Sequence, residues 1–78
     1  MQELQMPALA DEQQDALVVR WIRAEGDHVA AGEPILEVET DKAVVEIEAP
    51  ATGRLGGIQA VEGDRVPVGH LLATIEES

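Results

Sequence analysis

The chain has 78 residues, enough for one domain and too few for two, and a domain this small buries only about 60% of the surface its unfolded chain exposes. Sixteen acidic residues against five basic ones leave a formal charge of −11, which excludes a nucleic-acid binder, because phosphates need clusters of Lys and Arg, and equally an anionic membrane surface. Cysteine is absent, so neither disulfides nor thiolate metal sites can staple the fold, and stability rests on Val, Ile, Leu and Ala packed around one aromatic residue, Trp21.

Taken in chain order, the N-terminus shows neither the basic patch nor the apolar run of a secretory leader, and no stretch is long enough to span a membrane. Asp11 to Ala16 is expected to be a polar loop. Leu17 to Ile22 is a β-branched and aliphatic run and reads as a strand. Gly26-Asp27 reads as a turn, since Gly tolerates positive φ and Asp bonds its own backbone. Pro34 to Glu39 and Ala43 to Glu48 alternate with period two. Each has an apolar face (Leu36, Val38; Ala43, Val45, Ile47) and an acidic one (Glu37, Glu39; Glu46, Glu48), the pattern of half-buried strands. Ala49-Pro50-Ala51-Thr52-Gly53 breaks the chain; Leu55 to Ile58 and Leu71 to Glu76 supply later strands, with a Gly63-Asp64 turn between them.

These elements repeat. Glu25-Gly26-Asp27-His28-Val29 recurs 37 positions later as Glu62-Gly63-Asp64-Arg65-Val66, and at the same offset Val18 falls on Leu55, Trp21 on Ile58, Gly32 on Gly69, Ile35 on Leu72, Val38 on Ile75 and Glu39 on Glu76. Each half is too short to bury a core alone, so the two are expected to pack on one another. The expected fold is all-β: a single domain with halves of roughly 1–39 and 43–78, joined by a hairpin tip at 40–42 and related by a quasi-two-fold axis.

That tip is Thr40-Asp41-Lys42. Two alternating strands with so short a connection make a β-hairpin, and a polar, exposed tip is ordinary in itself. Lys42, however, is the only lysine in a chain with four arginines, so side-chain amine acylation has one available site. Asp27 and Asp64 read as turn formers, Trp21 as a core or core-edge anchor, and His28 and His70 as surface residues without a nucleophile to serve. Arg20, Arg23, Arg54 and Arg65 are too dispersed to read phosphate.

Glu39-Thr40-Asp41-Lys42-Ala43, followed by Val44-Val45-Glu46-Ile47-Glu48-Ala49-Pro50, resembles the lipoylation motif of lipoyl domains from 2-oxo acid dehydrogenase complexes. Met6-Pro7, Trp21, Glu25-Gly26-Asp27, Val29, Gly32, Gly53, Gly63-Asp64 and Gly69 extend the resemblance over nearly the whole chain. It implies a flattened barrel or sandwich of two four-stranded sheets, with Lys42 at one end and both termini at the other. It also implies a covalent lipoyl group (lipoic acid in amide linkage to Lys42), and Asp41 and Ala43 as flanking residues read by the modifying enzyme. The implied role is a non-catalytic swinging-arm carrier, part of a dihydrolipoamide acyltransferase. Its implied partners are a 2-oxo acid decarboxylase, an acyltransferase core, a dihydrolipoyl dehydrogenase and a lipoate ligase or lipoyl transferase. The implied compartment is the bacterial cytoplasm, or the mitochondrial matrix if the domain comes from a longer precursor. Gln14-Asp15-Ala16 departs from the Glu-Gly that often precedes the second strand in this family, which leaves the Ala8–Asp15 loop undefined.

Three other readings share the fold. A biotin carboxyl carrier typically flanks its lysine with methionines, whereas here Asp41 and Ala43 stand in those places. An unmodified adaptor barrel would leave Lys42 free. The lipoyl carrier of the glycine cleavage system needs a longer chain with extra helices. The His-x-x-x-Asp-Gly signature of an acyltransferase core is absent from these residues.

Overall fold

The computed structural model describes residues 1–9 and 14–77 and builds them into eight strands. These are β1 (Gln2–Gln5), β2 (Asp15–Trp21), β3 (His28–Val29), β4 (Pro34–Glu39), β5 (Val44–Glu48), β6 (Gly53–Gly56), β7 (Arg65–Pro67) and β8 (Leu71–Glu77). They form two antiparallel sheets, ordered β1-β8-β6-β3 and β5-β4-β2-β7. Exchanging β1 with β5, β8 with β4, β6 with β2 and β3 with β7 turns one order into the other, so the two-fold relation in the sequence is a relation between sheets. The sheets do not join edge to edge: the fold is a flattened sandwich.

The expected strands form, with shifted ends. β2 starts at Asp15, inside the segment expected as loop, because Asp15 and Ala16 pair with Pro67 and Val66. Of the rest of that expected loop, residues 11–13 lie outside the described residues, and Gln14 is exposed. β6 stops at Gly56, short of the expected Ile58, because Gly57 turns the chain at a φ of +57°. Three strands too short or too polar to read from alternation, β1, β3 and β7, complete the sheets.

One aliphatic core fills the space between the sheets: Leu4, Met6, Ala16, Val18, Val29, Ile35, Leu36, Val38, Ile47, Leu55, Val66, Leu72 and Ile75 are all buried. Period-two alternation would place Ile35 and Leu36 on opposite faces, yet both are fully buried. The register shifts between Pro34 and Leu36, and the same irregularity recurs in β8 at the equivalent residue, Leu72, between the pairs Gln5–Leu71 and Leu4–Ala73. A bulge spends one residue without flipping the next, so each half buries two consecutive side chains. Trp21 packs at the core edge, and its Nε1–H donates to the Ala60 carbonyl at 2.8 Å.

The halves are interlocked through their turns. Gly26 N–H donates to Leu55 O at 2.7 Å and Gly63 N–H to Val18 O at 2.8 Å; in return Leu55 N–H donates to Asp27 O and Val18 N–H to Asp64 O. Each turn is therefore bonded to a strand of the other half. Both glycines sit near φ +92°, where an L-residue is strained. Asp27 Oδ2 accepts Ala24 N–H at 2.9 Å, and Asp64 Oδ2 accepts Val61 N–H at 3.1 Å. Asp27→Ala and Asp64→Ala should therefore each cost about 1 kcal/mol and agree within a few tenths in urea unfolding. A large effect of one and none of the other would contradict the equivalence.

Candidate functional site

Lys42 lies at the tip of the β4–β5 hairpin. The ladder runs from Leu36–Ile47 through Glu37–Glu46 and Val38–Val45 to Glu39–Val44, and beyond it the chain reverses in Asp41-Lys42. Thr40 N–H donates to Ala43 O at 2.8 Å, closing the loop. The Thr40 hydroxyl, which the sequence reading passed over, also takes part: Oγ1 donates to Ala43 O at 3.2 Å and receives Ala43 N–H at 3.3 Å and Lys42 N–H at 3.4 Å. A hydroxyl oxygen just before a two-residue tip is the available sequence signal for such a contact.

All three residues singled out from the sequence, Asp41, Lys42 and Ala43, are exposed and consecutive at this tip. Among the described residues no carboxylate lies within ion-pair distance of the Lys42 ammonium; ion pairs form instead between Arg20 and Glu37, Arg23 and Glu33, and Arg65 and Asp15. Beside the tip the outer face of β4 and β5 is acidic, carrying Glu39, Glu46 and Glu48, with Glu37 held by Arg20 at 3.2 Å. Val44, on the same hairpin, is 54% exposed.

The tip stands at one end of the sandwich. Glu39 pairs with Leu17, Asp15 with Pro67, Val68 N–H donates to Gln14 O, and Met6 and His70 are bonded at the inner ends of β1 and β8. β1 and β8 run away from that end, so residues 2 and 77 emerge at the other end of a molecule 35 Å long. His28 and His70 are both exposed.

A carboxyl whose pKa the fold lowers lies away from the tip. Glu33 Oε1 accepts Ala30 N–H at 3.0 Å and its Oε2 accepts Arg23 Nε–H at 2.8 Å, and these bonds, the backbone one foremost, hold its carboxyl below the usual glutamate range. A lowered folded-state pKa stabilises above the unfolded value, about 4.3, and that contribution disappears as pH falls through the folded value. Acid titration of the melting temperature should therefore lose a component below about pH 4.3 that Glu33→Gln lacks. An identical acid profile in the variant would refute the assignment.

Comparison with known proteins places this geometry. Residues 2–75 match the biotin/lipoyl family, described as "Biotin-requiring enzyme". The succinyltransferase component of the 2-oxoglutarate dehydrogenase complex of Bartonella vinsonii is 42% identical over 74 residues, covering 95% of this chain and 18% of that protein. Component 3 of the mitochondrial pyruvate dehydrogenase acetyltransferase of Arabidopsis thaliana is 44% identical over 78 residues, covering 97% and 14%. The chain thus spans less than a fifth of the length of these relatives. Among solved structures, the lipoyl domain of the 2-oxoglutarate dehydrogenase complex of Azotobacter vinelandii superposes with a TM-score of 0.82 at 33% identity, covering 100% of this chain and 99% of that one.

Proposed function

The chain belongs to the biotin/lipoyl family, and from that premise we propose that it is a lipoyl carrier domain whose Lys42 takes the group in amide linkage. The observation that carries the reading is the position of the only lysine: exposed, unpaired among the described residues, and at the end of the sandwich opposite residues 2 and 77. The residues present fit such a group, since acylation needs one accessible primary amine with free space around it. When bound, the lipoyl group supplies a dithiolane that takes up and gives up acyl groups and electrons.

The chain's own residues attach and present that arm. At Lys42 Nζ a C–N bond forms to the carbonyl carbon of an activated acyl donor as the donor's leaving group departs, and the nitrogen sheds two protons. A lysine side chain is almost wholly ammonium at neutral pH, so the modifying enzyme supplies the base and the hairpin supplies position. Attachment removes the positive charge and leaves the tip acidic through Glu39, Asp41 and Glu46, a field that favours basic partner surfaces.

The rigid sandwich then acts as a handle. Tethering replaces a diffusing substrate with one at an effective concentration on the order of mM. The partners we assign are those of the relatives' complexes: a 2-oxo acid decarboxylase, an acyltransferase core and a dihydrolipoyl dehydrogenase, with the domain forming part of the acyltransferase chain. Incubation with lipoate ligase, lipoate and ATP, and in parallel with biotin ligase, biotin and ATP, tests the reading by intact and peptide mass spectrometry. One lipoyl increment on Lys42 supports it. A biotin increment in place of lipoyl, or no increment on a folded sample, overturns it.

A further inference from the structure

We propose that Thr40 is a positioning residue for acyl attachment at Lys42, its hydroxyl holding the hairpin tip in the form the modifying enzyme engages; this rests on the carrier reading above. A two-residue hairpin loop is usually built from Gly, Asn or Asp in a turn with positive φ, closed by reciprocal main-chain bonds between the flanking residues. The tip here is Asp41-Lys42, without glycine, and only one of the two closing bonds is main chain to main chain, Thr40 N–H to Ala43 O at 2.8 Å. The other donor, Ala43 N–H, goes to the Thr40 side chain at 3.3 Å, and Lys42 N–H reaches the same oxygen at 3.4 Å.

In return the hydroxyl donates to Ala43 O at 3.2 Å. One donor and two acceptor positions are all that a hydroxyl has, and this one uses all three within the tip. It ties the backbone of Lys42 and Ala43 to the last residue before the turn. Among the described residues no other side chain hydrogen-bonds to the backbone of these two residues.

The bonds are long, and Lys42 and Ala43 are exposed. Water can therefore satisfy both N–H groups if the hydroxyl is lost, and the ladder from Glu39–Val44 inward is untouched. Loss of the hydroxyl should loosen the tip without unfolding the sandwich. A loosened tip must be ordered by the enzyme at binding, and that ordering is drawn from affinity. The effect accordingly falls on KM for the domain and spares kcat.

The test measures initial lipoylation rates against domain concentration, with lipoate ligase, lipoate and ATP, for the parent chain, Thr40→Val and Thr40→Ser. Thermal melting and amide hydrogen exchange accompany the kinetics. Thr40→Val keeps the branched shape without the hydroxyl; Thr40→Ser keeps the hydroxyl without the methyl. KM should rise about tenfold in Thr40→Val with kcat within about twofold, and Thr40→Ser should return KM to within about threefold of the parent. Exchange at Lys42 and Ala43 should quicken in Thr40→Val alone, with melting unchanged. An unchanged KM in Thr40→Val, or a Thr40→Ser variant no better than Thr40→Val, overturns the proposal. A parent chain that takes no lipoyl increment removes the carrier reading and this one together, an outcome recognised without any variant.

Discussion

Gly53→Ala is expected to lower the melting temperature by roughly 12–24 °C, on a cost of about 3 kcal/mol and about 4–8 °C per kcal/mol for a domain of this size. Gly53 lies in β6 between Glu77 of β8 and Val29 of β3. A methyl group built on it would stand 2.1 Å from the Glu76 carbonyl oxygen, 2.7 Å from its carbon and 2.9 Å from Glu77 Cα. All three are main-chain atoms of a paired strand, so no rotamer change relieves the overlap, and β6 and β8 would have to part. Gly56, three residues along the same strand, is the internal control: a methyl there meets nothing within 4 Å. Gly56→Ala should shift stability by no more than about 1 kcal/mol. Circular dichroism melts of the two variants decide it, and a Gly53→Ala domain melting within about 3 °C of the parent would show that the strands yield more cheaply than their spacing implies.

Lys42→Arg should abolish acyl attachment completely while leaving the fold unmoved. Arginine keeps the positive charge and the long stem, but its guanidinium stays protonated and is no nucleophile. Lys42 is exposed and makes no ion pair among the described residues, so stability should change by less than about 0.5 kcal/mol. Because no other lysine exists, a residual mass increment in the variant would have to sit on the α-amino group. An increment mapped there would mean that the modifying enzyme does not read the hairpin at all.

Much of this molecule is legible in the sequence because its core follows two simple rules. The 37-residue offset marks Gly26 with Gly63, Asp27 with Asp64 and Ile35 with Leu72, and the structure puts each pair in equivalent turns or bulges. The same offset fails for the outer strands. Met6 is the counterpart of Ala49, since Met6 N–H donates to His70 O as Ala49 N–H does to Glu33 O, and each carbonyl accepts from the matching glycine, Gly69 or Gly32. Met6 and Val18 stand twelve positions apart, whereas Ala49 and Leu55 stand six apart. The longer segment between Pro7 and β2 thus hides the equivalence of β1 and β5 from any single-offset comparison. Alternation likewise misplaces Ile35 and Leu72, because a bulge changes which face a side chain takes and leaves no mark in composition. At the tip, Lys42 stands out as the only lysine, and Asp41 and Ala43 through the motif they share with the family; Thr40 reads only as a polar tip residue until its hydroxyl is seen bonded to the turn.

The placement of residues 2 and 77 at the pole opposite Lys42 gives the domain a directional response to load. Residues 2 and 77 leave from the same end of the antiparallel neighbours β1 and β8. A pull that separates those two ends peels the pair apart from its open end, breaking the crosswise hydrogen bonds one after another. A pull from Lys42 against the ends is shared between the two strands of its hairpin and passes on through the packed sheets, so many bonds bear it at once. The sandwich should therefore be compliant when residues 2 and 77 are spread and stiff when Lys42 is drawn against them.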